Sequence, residues 1–344
     1  MDPHSRSSGV GWGARLATVT CLTAIALAST GCFVGYDSRW GEAKRAQKRA
    51  LAQSAPSAFA TSPSAAPDVR MRTFRLRMRP TARYLAQTVD APKQIADLVD
   101  DANHVLEPAL ALHLEVDRTQ PWSSDADDDL QGALSALRAD DPASDVDVVV
   151  GMIGALPRQS ASFHQVGLAP LLGKHVVVRA ASRLGEKDAI DRALNELSED
   201  ERARLVRQRK RHYALAVFLH ELGHSLGALH ETDVESVMHP VYDPKMSGFG
   251  GGAIALIRAA LDAGDPASVT RAQLDVLQVS TSADWVPAER EEAIARLETM
   301  TAPKDAGAVL LAPSPTPASS DLPAELRGAD RDRFARASDM FRAG

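Results

Sequence analysis

Apolar and charged residues alternate from Met71 to Arg79, MRTFRLRMR, a period of two that predicts a strand with one face on a core. From Ala91 to Leu106 the interval changes: Ile95, Leu98, Val99, Ala102, Val105 and Leu106 recur at helical spacing and predict a helix. Residues 112–116 predict a second strand, residues 122–129 an acidic loop, and residues 130–137 a short helix. Two β-branched runs, DVDVVVGMI over 145–153 and HVVVR over 175–179, have the pattern of buried strands. The Gly-, Pro- and Ser-rich stretch 157–174 between them reads as a loop.

Helical patterning dominates the second half. A helix is predicted over 188–197, and Ser198-Glu199-Asp200-Glu201 matches a capping box that opens a longer one. Its basic part, residues 202–212, reads as a solvated face, and the apolar part follows from Tyr213 to Leu222. Thr270-Arg271-Ala272-Gln273 matches another capping box, opening a helix through Leu277, and residues 287–297 predict one more, with Pro287 in its first turn. Beyond Pro303 the chain is rich in Ala, Ser and Pro and predicts a mobile tail with one weak helix over 330–341.

The N-terminus has a different pattern. Arg6 and Arg15 precede an apolar run from Leu16 to Ala28, which is shorter than the roughly 20 residues a transmembrane helix needs. A basic stretch, a short apolar run and small residues together have the pattern of a secretory signal. It ends in Ser29-Thr30-Gly31-Cys32, which resembles a bacterial lipobox, where cleavage precedes a cysteine that becomes lipidated. Phe33 rather than Asp follows the cysteine, which leans towards the outer membrane over the inner one. Residues 32–68 mix Lys44, Arg45, Lys48 and Arg49 with Ala, Ser and Pro and read as a tether.

Composition narrows the chemistry. The chain has 344 residues, 44% hydrophobic and 24% charged, which is globular rather than disordered. A net charge of -6 gives no reason to expect nucleic acid as a partner. The two cysteines, Cys21 and Cys32, both lie in the export region, so a metal in the main body must be held by His, Asp or Glu.

Such a set is present in His220-Glu221-Leu222-Gly223-His224-Ser225-Leu226-Gly227-Ala228-Leu229-His230. His220 and His224, four apart on a helix, share one face and can reach one ion. His230 can join them only if the chain reverses, and Gly227 supplies the left-handed turn. Three neutral imidazoles leave a fourth metal position open, the pattern of a catalytic zinc site rather than a structural one. Glu221, beside the first ligand, is the expected general base towards a water on the zinc.

These residues resemble the metzincin zinc peptidases, whose pattern is HExxHxxGxxH followed by a methionine turn. Ser236-Val237-Met238-His239-Pro240 resembles that turn, with Met238 beneath the metal, and its short spacing from His230 resembles the matrixins. Pro240, Val241 and Tyr242 resemble the matrixin Pro-x-Tyr wall of the S1′ pocket, whereas Glu231 after the third histidine is as in astacins. The resemblance implies an α+β, zincin-like fold: a twisted mixed sheet, an active-site helix and a small C-terminal subdomain. It also implies a cleft that binds extended peptide by strand addition. Residues 145–153, or the loop after them, are the candidate edge.

Several residues are weighed against blander roles. His164 and His175 bracket the place of a second matrixin zinc, but its His-x-Asp pair is not visible, so one zinc is expected. Asp233 is a candidate to hold a ligand histidine, while His212 and His239 read as satisfied surface histidines. The glycines at 248 and 250–252 read as a flexible segment beside the pocket. The acidic run Asp125–Asp129 reads as a solvated loop, and nothing else supports calcium there.

The expected organisation is a signal peptide with lipobox over 1–31, a tether over 32–68, a catalytic domain over 69–282, and an extra helix with a mobile tail over 283–344. The expected activity is zinc-dependent metalloendopeptidase on an exported, lipid-anchored monomer at the outer membrane or cell surface. Its partners are a peptide or protein substrate and the membrane. The alternative class is a zinc-binding envelope or adhesion lipoprotein with little turnover.

Overall fold

The computed structural model describes residues 70–123, 129–157, 160–181, 186–263 and 265–301, with scattered positions between 44 and 59. The signal peptide, Cys32, residues 125–128 of the acidic run and the tail beyond 301 lie outside the described residues. Among the described residues no helix is long and apolar enough to cross a membrane.

The chain divides into two units, residues 1–55 with 189–205, and residues 56–188 with 206–344. In the first, the Ser198 capping box forms: the Ser198 backbone N–H donates to the Glu201 carboxylate at 2.9 Å, and Glu201 N–H donates back to Ser198 Oγ at 3.3 Å. Arg202 pairs with Asp191 at 2.9 Å, so part of the basic run is locally neutralised.

The second unit is built on a five-stranded sheet. Its strands are β1 (Arg72–Pro80), β2 (Leu112–Thr119), β3 (Val148–Ile153), β4 (Gly167–Leu168) and β5 (His175–Arg179). Their order is β2-β1-β3-β5-β4, parallel throughout except for β4, which runs antiparallel to β5 and forms an edge. Among the described residues of both units the helices include α1 (Ala82–Gln87), α2 (Ala91–Leu110), α3 (Leu130–Asp140), α4 (Glu186–Ala193), α5 (Glu199–Ser225), α6 (Gly251–Asp262), α7 (Pro266–Val279) and α8 (Pro287–Thr301), with residues 189–205 belonging to the first unit. This is the mixed α+β fold the sequence led us to expect.

One sheet face buries Leu76, Met78, Val148, Val150 and Val176 against Ile95, Val99 and Leu106 of α2 and Ala216, Phe218 and Leu219 of α5. The other buries Val149, Ile153 and Val177 against Leu134 and Leu137 of α3, together with Trp122. Burial on both faces is why β3 and β5 read as unbroken apolar runs. It also rules out β3 as a sheet edge, because β3 lies between β1 and β5; the loop after it contains β4, which is an edge.

The charged positions of β1 depart from the simple two-faced reading. Arg77 and Arg79 are buried rather than solvated, because the α3 side of the sheet is covered. Both donate to the buried Asp141 at 2.9 Å, and Arg77 also reaches Asp145 at 2.6 Å. Burial pushes the Asp141 carboxyl up, but the hydrogen bonds from Arg77, Ala143 and Arg79 outweigh it and hold its pKa below the usual carboxylate range.

The C-terminal helices differ from expectation in two places. Asp265, not Thr270, caps α7: its carboxylate accepts from Ala267 and Ser268 N–H, with Pro266 in the first turn. Thr270 lies one turn inside, where its hydroxyl donates to Pro266 O at 2.8 Å. The glycines at 250–252 are not a flexible segment but the start of α6. Leu256 of α6, Leu277 of α7 and Trp285 form a separate small core with Ile294 and Leu297 of α8.

Candidate metal centre

Helix α5 carries His220 and His224 on one face; His220 is buried and His224 half-buried. After Ser225 the helix ends in a Schellman pair. Ala228 N–H donates to Gly223 O at 2.8 Å and Gly227 N–H to His224 O at 3.0 Å, with Gly227 at φ +100°. A side chain at Gly227 would be strained there and would collide with Gln273, whose amide donates to Gly227 O at 3.1 Å. The reversal brings His230 back under α5, as the spacing required.

The three imidazoles converge. His220 Nε2 lies 3.2 Å from His224 Nε2 and 3.3 Å from His230 Nε2. Every other ring nitrogen faces an acceptor: His220 Nδ1 meets Val237 O at 2.7 Å, His224 Nδ1 meets Ala228 O at 2.9 Å, and His230 Nδ1 meets the Glu289 carboxylate at 2.7 and 2.8 Å. With each Nδ1–H donating, each Nε2 presents a lone pair to the others, which is repulsive unless a cation lies between them. Metal–nitrogen bonds of about 2.0–2.1 Å at tetrahedral angles separate their nitrogens by about 3.3 Å. The donor set therefore fits a divalent cation. Among the described residues this is the one such group of His, Cys, Asp or Glu.

Met238 is fully buried, and Gly223 is what admits it: a Cβ there would overlap the Met238 sulfur and crowd Phe249. The turn is pinned by Met238 N–H donating to Ser236 Oγ at 3.0 Å and Glu231 N–H donating to Met238 O at 3.1 Å. The same turn supplies the Val237 carbonyl that orients His220.

Glu221 is buried at 3% exposure and abuts edge strand β4, where a Cβ on Gly167 would overlap its carboxylate. Phe163 stacks on His220 with ring centres 4.2 Å apart, closing the other side of that ligand. Neither Gly167 nor Phe163 was marked by the sequence, because no local spacing ties them to residues 220–230.

Pro240, Val241 and Tyr242 form a wall beside this centre. Ser162 and Val241 form an antiparallel bridge, and Tyr242 N–H donates to Ala161 O at 2.7 Å. Val241 is exposed, and Tyr242 packs edge-on to Phe163 and Tyr213. His212 is buried behind Tyr242, not at the surface. Its Nε2–H donates to Met246 O at 2.9 Å, so Nδ1 accepts from the Tyr242 hydroxyl at 2.9 Å. Burial holds its pKa below the ordinary imidazole value. Phe59 stacks on His212 with ring centres 4.6 Å apart, and Ser57 N–H donates to Pro244 O at 2.8 Å. Ser57 and Phe59, within the predicted tether, thus lie against the wall.

The remaining candidates have structural duties. Asp233 accepts from Glu235 N–H at 3.0 Å within its own turn and does not hold a ligand; the Val237 and Ala228 carbonyls and Glu289 do. His239 Nδ1 contacts Val241 O at 2.8 Å. His175 is buried in β5 with Nε2 2.6 Å from Asp141 O, and His164 bonds Ser162. Glu231 accepts from Ser236 Oγ, Gly250 N–H and Ala253 N–H, capping α6 from a distance. Burial nevertheless pushes its carboxyl above the usual range.

This arrangement, with its glycine reversal, its converging imidazoles and its buried methionine against Gly223, resembles that of the metzincin metallopeptidases. The family model described as Matrixin matches residues 99–249. No match was found among curated protein sequences. Among solved structures, the chain is similar to archaemetzincin from Methanopyrus kandleri at 16% identity and TM-score 0.37, over 55% of this chain and 96% of that one. A malonate complex of archaemetzincin from Archaeoglobus fulgidus is similar at 18% identity and TM-score 0.32, over 52% and 97%. Metalloproteinase-II from Bacteroides fragilis is similar at 12% identity and TM-score 0.34, over 58% and 54%. At such TM-scores the reading of the site rests on its own residues.

Proposed function

We propose that the protein is an exported, lipid-anchored zinc metalloendopeptidase that cleaves extended peptide. The observation that carries this reading is the convergence of the His220, His224 and His230 Nε2 atoms, with Glu221, next to the first of them in the chain, buried against edge strand β4. His220, His224 and His230 would hold zinc through Nε2, where the ion supplies Lewis acidity, polarising a carbonyl and easing proton loss from water near neutral pH. A substrate strand pairs with the free side of β4, so its backbone passes Gly167 and its scissile carbonyl comes to Glu221. Gly167 has no Cβ to displace the Glu221 carboxylate. That carboxylate accepts the proton of the attacking water and passes it to the nitrogen of the leaving amine. Pro240, Val241 and Tyr242 wall the pocket for the side chain after the scissile bond.

A mixed peptide library incubated with the full chain and read by mass spectrometry tests this. Cleavage is expected to stop with a zinc chelator and return with added zinc, and the products report the pocket's preference. Zinc-loaded, folded protein that cleaves nothing would favour the envelope-binding alternative. The anchor rests on Ser29-Thr30-Gly31-Cys32 and the apolar run before it. A labelled fatty acid fed to expressing bacteria should enter the wild-type chain and not Cys32→Ser; equal labelling of the two removes the anchor from the reading.

A further inference from the structure

We propose that Glu289 is a positioning residue for His230, and that through it helix α8 sets how tightly the centre holds its cation. This rests on the reading of His220, His224 and His230 as a metal site. The plain role for Glu289 is an acid in the first turn of a helix that begins at Pro287, where the helix dipole favours negative charge. The geometry assigns it more. Both carboxylate oxygens lie within 2.8 Å of His230 Nδ1, and its side chain is only one-third exposed, at 32%.

The backbone delivers it there. Thr232 N–H donates to Asp284 O at 3.1 Å, Glu231 bridges to Trp285, and Val286 N–H donates to His230 O at 3.2 Å. Trp285 is completely buried between Leu256 and Leu277, so the start of α8 is clamped to the segment that carries His230. Every one of these residues from 284 onward lies beyond the matrixin match, which ends at 249.

The three ligands are thus oriented unequally. His220 and His224 donate to neutral carbonyls, whereas His230 donates to a carboxylate. A carboxylate fixes the Nδ1–H tautomer, raises the donor strength of Nε2 and adds a negative charge beside a cation held by neutral imidazoles. Loss of such a partner typically weakens metal binding by about 10–100-fold.

The test is zinc competition against a chromophoric chelator on the full chain, with the absorption spectrum of the cobalt-substituted protein as a second readout. Glu289→Gln, which keeps the shape and removes the charge, should weaken zinc binding by about 10–100-fold and shift the cobalt bands. Glu289→Asp should recover part of the affinity, and Glu289→Ala should lose at least as much as Gln. The zinc-free forms should melt close to wild type, which separates positioning from folding. Should Ala fail to fold, the Gln variant decides. Zinc affinity within twofold of wild type and an unchanged cobalt spectrum in Glu289→Gln would overturn the proposal while leaving the metal site intact. If wild type binds no zinc, or His220→Ala binds it equally well, the metal-site reading and this proposal fall together.

Discussion

Glu221→Gln is expected to lower kcat/KM for peptide cleavage by about 10²–10⁴-fold, the usual worth of a positioned general base. That loss corresponds to roughly 3–5 kcal/mol of transition-state stabilisation. Zinc affinity should hold, because the ligand nitrogens take their orientation from Val237 O, Ala228 O and Glu289, none of which the substitution touches. The amide keeps the shape of the buried carboxylate but cannot accept the proton of the attacking water. Gly167→Ala makes the same point from the other side. Its Cβ would enter the space of the Glu221 carboxylate, so it should depress turnover while zinc stays bound. Steady-state kinetics beside zinc stoichiometry checks both. A Glu221→Gln protein that retains wild-type turnover would remove Glu221 from the chemistry.

Trp285→Ala should destabilise the protein by about 3–5 kcal/mol, the range for deleting a large buried aromatic side chain. Trp285 is the largest fully buried side chain among the described residues, its Nε1–H donates to Ser280 Oγ at 2.9 Å, and it joins α6, α7 and α8 in one small core. The loss should reach the metal. The Trp285 backbone bridges Glu231, and Glu289 follows in the first turn of α8, so a loosened α8 gives His230 a less constrained partner. Urea unfolding with and without saturating zinc measures both parts: the midpoint should fall in each, and the stabilisation that zinc adds should shrink. Trp285→Phe should keep most of the packing. If Trp285→Ala unfolds like wild type, the C-terminal helices are not part of the unit that holds the centre.

Both predictions turn on contacts between residues far apart in the chain, and this is where sequence reading was weakest. Glu289 lies 59 residues from His230, and nothing in the local pattern of either marks the other. Arg77 and Asp141 are 64 apart, and the alternation in β1 predicted a solvated charged face where the structure has a buried ion cluster. Thr270 and Gln273 match a capping box, yet Asp265-Pro266 is the stronger helix start. Gln273 instead reaches Gly227 O. The glycines at 250 and 252 looked flexible only because the Glu231 and Trp285 side chains that press against them cannot be placed from sequence.

What the sequence determined alone was local. Strand and helix periods located β1 and α2, because side chains repeat with the backbone geometry that carries them, while a β-branched run located β5 and a capping box the start of α5. The His220–His224 pair and the Gly227 reversal to His230 were legible for the same reason: a helical turn and one left-handed residue are decided within a few positions. Tertiary structure decided which strand forms the edge beside Glu221 and which acid holds the third member of the triad. Those outcomes depend on which surfaces pack together, and packing joins residues without regard to their distance along the chain.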